Sequence, residues 1–452
     1  MESMSSSSAV QGLLHVYHSY EQTLPLYHAT NEHAALTRFN GNREMPVHNW
    51  FMFKEGFSAN LLSWICNDLP FDLNKAEAIL DPFCGVGTSL LSAQLAYQGN
   101  HHLLLIGVER NPFIHFAAQA KLKWPCYSVS TIRELKEELL YSLGNFSNRY
   151  YPVPALSTIQ NHEVFAANTV QDLLAYRQRI EDACEDRVER DFFMLGWAAI
   201  IEKVSGVRKY GRGLRFAKKP RIPTVVQALE DQWNNMLRDL EIMQQERTHR
   251  NKVYGRIILG DGRILPLNDE SFDLIVYSPP YLNNIDYSEV YKLELWFSGY
   301  IIDQNGFREL RRATLRSHPS IRFPETRLLD TLSEKTWPRQ LRETMLATIP
   351  DDNNRMWRER LICGYLDDMY QSLLEQFRVA VPGAPIICVV GNSLHGRHPH
   401  PILIATDLLI CALAQTVGFA ITRLQVARYL SRRQHNDALL RESIIIMRKP
   451  KR

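Results

Sequence analysis

Short apolar runs alternate with longer amphipathic stretches along much of the chain. The apolar residues predict strands at 78–80, 102–108, 256–259, 272–277 and 386–390. Helical periodicity follows the first two of these runs. This alternation of strand and helix predicts an α/β fold, in which helices cover both faces of a mostly parallel sheet.

The carboxy-terminal part of the chain has a different pattern. A helix is predicted over 402–417, and β-rich runs follow at 419–429 and 442–447. The polar turn at 431–436 between these runs is short, and only an antiparallel hairpin can return in so few residues. We therefore expect a doubly wound, mostly parallel sheet that ends in an antiparallel hairpin.

Two long segments, 125–250 and 300–375, interrupt the alternation with helical periodicity alone. At 452 residues the chain also exceeds the usual size of a single core. The predicted organisation is one sheet domain formed by 1–124, 251–300 and 376–452, with two helical insertions.

The composition, 45% hydrophobic and 22% charged, is that of an ordinary globular protein. The longest apolar runs are far shorter than the roughly 20 residues that cross a bilayer, and the first residues lack a signal-peptide pattern. The seven cysteines are odd in number and contain no Cys-x-x-Cys pair, which indicates reduced thiols. We expect a cytoplasmic protein without a membrane partner and without a metal site.

The net charge is only +3, but basic residues are clustered. Residues 203–221 contain eight lysines or arginines and no acidic residue, with Tyr210 and Phe216 among them. A second cluster follows the strand at 272–277 and consists of Arg308, Arg311, Arg312, Arg316 and Arg322. Either cluster alone fits a solvated loop, but two clusters beside one predicted strand favour a nucleic acid partner.

A glycine turn follows the strand at 78–80. Asp81 ends the strand, and Phe83, Gly85, Gly87 and Thr88 lie in the turn. Glycines let backbone amides approach a ligand, and the helix that begins here directs its positive dipole end at a carboxylate or a phosphate. The turn therefore predicts a nucleotide-like cofactor.

Carboxylates end the next two predicted strands. Glu109 follows the second strand, where a carboxylate typically accepts ribose hydroxyls, and Asn111 borders the same place. Asp261 and Gly262 follow the third strand, where a carboxylate can accept an adenine amine. A dinucleotide remains an alternative, although the third glycine of that fingerprint is missing.

The tetrapeptide Ser278-Pro279-Pro280-Tyr281 ends the strand at 272–277. Its prolines restrict the backbone and remove two amide donors, so the carbonyl groups can face a substrate. The Ser278 hydroxyl and the Pro279 carbonyl can accept both protons of an exocyclic amine, and Tyr281 can stack on an extruded base. The tetrapeptide predicts chemistry at a nucleobase amine.

These motifs together resemble the S-adenosylmethionine-dependent DNA amino-methyltransferases, the modification methylases that act on cytosine N4 or adenine N6. The resemblance rests on the glycine turn, on Glu109, Asn111 and Asp261, on the Ser-Pro-Pro-Tyr tetrapeptide and on the segment 291–296. It implies a Rossmann-like methyltransferase sheet that binds S-adenosylmethionine. It also implies that Phe57 and Phe83 pack near the methionine end of the cofactor.

The resemblance further implies a target and a partner. Serine at the first position of the tetrapeptide mostly marks cytosine, so Ser278 favours N4 of cytosine over N6 of adenine. Duplex DNA with the target base flipped out is the expected partner, in the nucleoid, and a separate cognate restriction endonuclease is possible. DNA contact is assigned to both insertions, with these residues in the first: Arg208, Lys209, Arg212 and Arg215.

Other functions remain open. A guanine-N2 methyltransferase acting on transfer RNA would keep the cofactor and change the substrate, and a DNA-binding protein with a vestigial cofactor pocket would not be an enzyme. The segment 395–400 contains three histidines, but no carboxylate or cysteine is nearby in sequence, so we expect a loop and not a metal site.

Overall fold

The computed structural model describes residues 2–141, 150–185, 187–211, 213–246, 253–283, 285–395, 401–430 and 438–451. The strands are β1 (Leu26–Tyr27), β2 (Ala78–Asp81), β3 (Leu103–Glu109), β4 (Val207–Tyr210), β5 (Gly213–Phe216), β6 (Val253–Leu259), β7 (Leu274–Tyr277), β8 (Pro385–Gly391), β9 (Ser393–His395), β10 (Ile402–Ile404), β11 (Ala420–Tyr429) and β12 (Arg441–Arg448).

The α-helices before the second half of the sheet are α1 (Glu2–Glu21), α2 (Asn31–Leu36), α3 (Asn60–Asp68), α4 (Thr88–Ala96), α5 (Pro112–Leu122), α6 (Val129–Tyr141), α7 (Ser157–Gln160), α8 (Ala167–Ala183), α9 (Glu189–Ile200) and α10 (Val225–Glu246). Those that follow are α11 (Tyr287–Val290), α12 (Lys292–Phe297), α13 (Gln304–Ala313), α14 (Trp337–Ala347), α15 (Arg355–Val379) and α16 (Thr406–Val417).

Eight strands form the central sheet in the order β1-β11-β12-β8-β7-β2-β3-β6. The strands from β6 to β8 pair in parallel, whereas β12 is antiparallel to both β8 and β11. The α/β prediction of a doubly wound, Rossmann-like sheet with a carboxy-terminal antiparallel pair is confirmed. The chain leaves β2 to one side for β3 and later returns on the other side as β7, so β2 borders the topological switch point.

Helices cover both faces of this sheet, which explains why its central strands read as uninterrupted apolar runs. Successive residues of β7 point to opposite faces: Leu274 and Val276 belong to one hydrophobic core, and Ile275 and Tyr277 belong to the other. The first insertion, 125–250, packs on the first face, and most of the second packs on the other.

Several boundaries differ from the sequence predictions. Residues 402–404 form β10, which pairs with β9, so the helix predicted over 402–417 begins only at Thr406. The β-branched residues of this run extend into a strand because β9 offers a partner. The boundary placed at 375/376 falls inside α15, which is one continuous helix. The turn predicted at 431–436 lies outside the described residues.

Candidate active site

A cleft opens beyond the carboxyl ends of β2, β3, β6 and β7. Parallel strands bring the loops that follow them to this edge, where doubly wound sheets bind ligands. Residues predicted for the site that line the cleft are Phe83, Gly85, Glu109, Asn111, Asp261, Gly262, Ser278, Pro279 and Pro280. The cleft therefore brings together the two motif groups that lie about two hundred residues apart in the chain.

Gly85 and Gly87 shape the turn after β2, since both have positive φ, of 51° and 78°. An added Cβ on Gly85 would lie 3.2 Å from the Phe53 ring, so the missing side chain keeps that part of the cleft open. An added Cβ on Gly87 would contact Ala118 at 3.4 Å. Gly87 thus serves the close packing of α4 against α5, whereas Gly85 serves the cleft.

Asp81 stabilises the turn after β2 through its side chain. Its carboxylate accepts a hydrogen bond from the Phe83 amide at 3.0 Å and another from the Ser89 hydroxyl. Burial raises the pKa of Asp81 to about 7. Asp81 is 1% exposed and does not line the cleft, so direct cofactor contact is the wrong reading of this residue. It supports the turn instead.

Three other predicted cofactor residues also lie behind the wall of the cleft: Phe57, Gly87 and Thr88. Phe57 is buried in the hydrophobic core, and Thr88 is the first residue of α4. From the same segment as Phe57, the structure places Phe53 and Glu55 in the wall. The cofactor contact predicted for Phe57 stays a prediction, and Phe53 and Glu55 are the residues of its segment that line the cleft.

Glu109 stands at the tip of β3 in the cleft wall. Its carboxylate accepts hydrogen bonds from the amides of Gly85, at 3.1 Å, and Asn111, at 2.7 Å. Burial raises the pKa of Glu109 to about 7, although these amide donors act in the opposite direction. The carboxylate ties the two ligand-facing loops together and keeps lone pairs for a further donor.

Asn111 caps α5. Its side-chain oxygen accepts from the amides of Phe113 and Ile114, and Pro112 follows as the first helical residue. The Asn111 Nδ2 atom is buried and has no hydrogen-bond partner among the described residues. A buried donor in a cleft wall without a partner is costly unless a ligand satisfies it.

Asp261 lines the cleft and is paired with Arg263, whose Nη2 lies 2.7 Å from Asp261 Oδ2. Burial alone would raise the pKa of Asp261, but the hydrogen bonds and the charge of Arg263 lower it overall. Arg263 also contacts Asp368 of α15 at 2.9 Å. Asp261 is therefore an ionised, firmly oriented acceptor.

The Ser-Pro-Pro-Tyr tetrapeptide lies between the cleft and a second, more open cavity. Ser278, Pro279 and Pro280 face the cleft, whereas Tyr281 lines the second cavity. The Ser278 hydroxyl lies 3.0 Å from the Val389 carbonyl and 3.2 Å from the Tyr281 hydroxyl. Gly391 leaves room for the Tyr281 ring, because an added Cβ there would lie 3.0 Å from it.

Glu55 and Tyr287 belong to the walls of both cavities. The Tyr287 side chain meets the backbone of Tyr281, and the Tyr291 hydroxyl donates to Glu55 Oε2 at 2.7 Å. Neither Glu55 nor Tyr287 was among the predicted site residues. Only the assembled fold identifies them as residues shared by the two walls.

The second insertion also contributes to the cleft. Leu310, Ala313, Thr314, Leu315, Ser317 and His318 line it. His318 is buried, and burial lowers its pKa, so the imidazole is neutral. This role was not predictable from the sequence, because 300–375 carried only helical periodicity and a run of arginines.

The basic run 203–221 forms the β4–β5 hairpin at the mouth of the second cavity, which includes Lys209, Tyr210 and Gly211 in its wall. Arg208 and Arg215 are exposed and lie directly opposite each other across the hairpin. The Arg215 guanidinium covers the Tyr210 ring at 4.2 Å. Arg212 lies outside the described residues.

Lys209 must be removed from the predicted DNA-binding set. Its ammonium is buried in an ion pair with Glu294 and lies over the rings of Tyr291, at 4.5 Å, and Phe51. The two-residue period of β4 turns this side chain inward while its neighbours Arg208 and Tyr210 turn outward. A phosphate cannot reach it.

The arginine cluster at 308–322 is also partly internal. Arg316 binds Asp368 through two guanidinium nitrogens, at 3.0 and 2.7 Å, and Arg311 pairs with Asp286 at 2.9 Å. Arg322 lies over the Trp357 ring at 4.3 Å. Arg316 and Arg311 are thus paired with carboxylates of the protein itself, so we assign these two arginines a structural role.

Within the described residues, no group of three His, Cys, Asp or Glu side chains is arranged to hold a metal ion. His395 contacts the Leu282 carbonyl, whereas the remaining residues of the histidine-rich segment, 396–400, lie outside the described chain. A membrane-spanning helix was also not found in the part of the chain that the structure describes.

Similar proteins agree on one activity. No protein-family profile matches the chain. It is 26% identical to the type II methyltransferase M.BsoBI of Geobacillus stearothermophilus, over 92% of this chain and 88% of that protein. It is 25% identical to M.AvaI of Nostoc sp., over 92% and 90%, and 24% identical to M.MvaI of Kocuria varians, over 75% and 74%. These similarities, at 24% to 26% identity over most of the chain, support the DNA methyltransferase family. These relatives support a DNA methyltransferase of a restriction-modification system.

Type II methyltransferases generally use S-adenosylmethionine, and the cleft of this chain fits such a group. The unpaired Asn111 Nδ2 offers a buried donor, Glu109 offers an acceptor beside it, and Gly85 leaves an open cradle against Phe53. Bound there, S-adenosylmethionine would supply an electrophilic methyl group.

Proposed function

We propose that this chain methylates the exocyclic N4 amine of cytosine in duplex DNA, with S-adenosylmethionine as the methyl donor, as the modification enzyme of a restriction-modification system. One observation carries the proposal. Ser278 and Pro279 face the cleft, and Tyr281 of the same tetrapeptide faces the second cavity. A base amine held at the tetrapeptide would therefore be presented to whatever occupies the cleft.

On the cofactor side, Glu109 accepts the ribose hydroxyls and Asn111 donates to the nucleoside. Asp261 accepts the adenine amine, since its carboxylate is kept ionised and fixed by Arg263. Phe83, Gly85 and Gly262 form the surrounding wall. Ribose, adenine and the sulfonium end would thus be distributed over the loops that follow β3, β6 and β2.

On the base side, the target cytosine leaves the duplex and enters the second cavity, at a cost of about a few kcal/mol for unstacking. Tyr281 supplies a ring on which the base stacks, a contact worth about 1–3 kcal/mol for each base. Burial raises the pKa of Tyr281 well above its usual range, so the phenol stays neutral. Tyr287 lines the passage between the cavities.

The Ser278 hydroxyl acts as an acceptor. It has a single proton, which is directed to the Val389 carbonyl at 3.0 Å, so the Tyr281 hydroxyl at 3.2 Å donates to one of its lone pairs and the other can accept from the amine. Pro279 supplies a carbonyl for the second amine proton. Accepting both protons pulls the nitrogen toward tetrahedral geometry and orients its lone pair for in-line attack.

Ser278 is also the reason to prefer cytosine. Adenine offers the same pairing of an exocyclic amine with an adjacent ring nitrogen, so adenine N6 is the alternative target. The resemblance to cytosine-modifying methylases through this serine favours N4.

The β4–β5 hairpin binds the DNA backbone in this proposal. Arg208 and Arg215 are cross-strand neighbours of like charge, an arrangement that costs free energy unless an anion lies between them. A DNA phosphate beside the mouth of the second cavity is such an anion. Both insertions, 125–250 and 300–375, are proposed to contribute DNA contacts around the flipped base.

The test is transfer of labelled methyl from S-adenosylmethionine to duplex DNA, followed by digestion to nucleosides. The expected product is N4-methylcytosine at one recurring sequence. N6-methyladenine as the product would mean that the chain is a DNA methyltransferase whose target base is adenine. Label in transfer RNA alone would contradict the proposal, and DNA binding without any cofactor affinity would indicate a vestigial pocket.

A further inference from the structure

Glu55 occupies the junction of the two cavities. The segment from Phe53 to Gly56 forms the partition between them, with Phe53 in the cleft wall, Gly56 in the wall of the second cavity and Glu55 in both. Phe53 stacks on the Tyr291 ring at 5.2 Å with an interplanar angle of 14°. The partition is therefore held against the junction of α11 and α12.

The surroundings of Glu55 are enclosed. The Tyr291 hydroxyl donates to Oε2 at 2.7 Å, and the other donor is the residue's own backbone amide. Glu55 keeps intermediate exposure because the two cavities reach it. A carboxylate with two donors and four lone-pair positions retains acceptor capacity toward those cavities.

Other charged and titratable groups face Glu55 from each neighbouring element. Lys54 lies on its own segment, Lys209 on β4, and Tyr287 and Tyr291 on the α11–α12 side. Lys209 is already paired with Glu294, and Lys54 lies near Glu202 at 3.9 Å. Across the second cavity stands the ion pair of Arg428 with Glu442. Burial raises the pKa of Glu55 despite the opposing effect of Tyr291 and the lysines.

Methylation of an amine by a sulfonium leaves a cationic nitrogen that must lose a proton. The nitrogen attacks the methyl carbon, the new C–N bond forms, and the electron pair of the breaking C–S bond remains on sulfur. The methylated nitrogen then carries the positive charge and must lose one proton. Ser278 is not a suitable final acceptor, because a protonated hydroxyl is itself a strong acid and would have to pass the proton on.

We propose that Glu55 accepts this proton. The inference rests on the proposed function, and it assigns Glu55 as a catalytic residue of the same site. The carboxylate becomes a neutral acid as the nitrogen becomes neutral, and it then returns the proton to water through the open second cavity. A base whose pKa approaches the working pH is suited to this transfer.

The first experiment compares single-turnover methylation rates across pH, at saturating S-adenosylmethionine and DNA, for the unchanged chain and for Glu55→Gln. The unchanged chain needs an ionised Glu55, so its rate should rise with pH through a pKa above the usual glutamate range and then level off. Glu55→Gln should lose this pH-dependent rise in rate, the pH limb. Its rate should also be about 100-fold lower, which is within the usual range for a general base. Asp81 and Glu109 are present in both proteins, so their titration cancels.

Two further variants serve as controls. Glu44→Gln makes the same isosteric change at an exposed position of the same amino-terminal region and should match the unchanged chain. Glu55→Asp restores a carboxylate on a shorter side chain and should recover the pH limb at a lower rate. Loss of the limb in Glu55→Asp would contradict the proposal.

A second readout does not require methyl transfer. Calorimetry of DNA binding without cofactor, in buffers of different ionisation enthalpy, measures the protons taken up. An entering base desolvates Glu55 further, so the unchanged chain should take up more protons than Glu55→Gln. Equal uptake in the two proteins would overturn the proposal.

The outcomes also separate Glu55 from other roles. Weakened S-adenosylmethionine binding in Glu55→Gln with an unchanged pH profile would mean that the carboxylate holds the ammonium of the cofactor, and the proposal would fail. If the unchanged chain transfers methyl groups and Glu55→Gln keeps the limb, only this inference fails. If the unchanged chain transfers none, the proposed function itself fails.

Discussion

The cleft and the second cavity are built in different ways. Loops that directly follow β2, β3, β6 and β7 supply most of the cleft, so each contribution is a short motif at a strand end. The second cavity is assembled from 37–40, 54–56, 209–211, the segment around Tyr281 and single residues of β11 and β12. Its pieces are far apart in sequence and carry no common motif.

This difference has a functional meaning. In the proposed function, cofactor binding depends on a topology that places strand ends together, whereas base binding depends on how segments far apart in the chain enclose the tetrapeptide. We therefore expect substitutions in one cavity to leave the other function largely intact. The following predictions test that independence, beginning with the largest expected effect.

Glu109→Ala should weaken S-adenosylmethionine binding by about 100-fold, because it removes charge-assisted hydrogen bonds worth roughly 1.5–3 kcal/mol each. DNA affinity measured without cofactor should not change. Equilibrium dialysis measures the affinity for S-adenosylmethionine, and a DNA-binding titration measures the affinity for DNA. Glu77→Ala, at an exposed site beyond the opposite edge of the sheet, is the matched control. Equal losses of cofactor and DNA affinity would refute the independence of the two cavities.

Tyr281→Ala should slow methyl transfer by about 30-fold, since stacking contributes roughly 1–3 kcal/mol for each base. Its affinity for S-adenosylmethionine should stay the same. Tyr281→Phe keeps the ring and should retain most of the rate. The readouts are single-turnover transfer and cofactor affinity on the same preparation. If Phe were as damaging as Ala, the phenol and not the stacking surface would be the important group.

Cofactor affinity should depend on pH through Glu109. The pKa of this residue is about 7, and only its ionised form accepts two hydroxyl protons. Affinity should therefore be full above pH 7 and fall as the pH drops below it, approaching about tenfold per unit. Isothermal titration between pH 5.5 and 8.5 measures this dependence. Glu109→Gln should flatten the curve, whereas an unchanged curve would mean that another group titrates.

The smallest effect concerns DNA. The double variant Arg208→Ala with Arg215→Ala should reduce the slope of log affinity against log salt by about 1.8, at roughly 0.9 for each lost phosphate contact. Lys75→Ala, on the far side of the sheet, should leave the slope unchanged.

Lys209→Ala should lower the free energy of unfolding by about 3–5 kcal/mol, because it leaves Glu294 buried without its partner. A loss of salt slope in Lys209→Ala without destabilisation would show that the buried ion pair is misassigned.

The cleft was predictable where a residue's role follows from its place at a strand end. Glu109 and Ser278 are such residues, since the apolar run before each fixes the edge of the sheet at which it stands. The role of Asp81 was not predictable in this way, because a carboxylate at that position can face a ligand or support the turn. Its hydrogen bond from Ser89 in the folded structure indicates the supporting role.

Charge patterns were the least reliable guide. Arg208 and Lys209 are adjacent in sequence, yet one is exposed and the other is paired with Glu294, 85 residues later. Arg316 likewise meets Asp368 through contacts that no local pattern encodes. Glu55 was missed for the same reason, since its position between two cavities exists only after distant segments have packed together.

The central claim is that a donor in the cleft and a base in the second cavity meet at the Ser-Pro-Pro-Tyr tetrapeptide. An adenosine cofactor analogue with an aziridine in place of the sulfonium methyl tests it most directly, because it becomes covalently joined to the nitrogen that attacks it. Digestion of the DNA and mass analysis should identify one adduct, on the exocyclic amine of cytosine. A protein that binds both the analogue and DNA but forms no adduct would contradict the account.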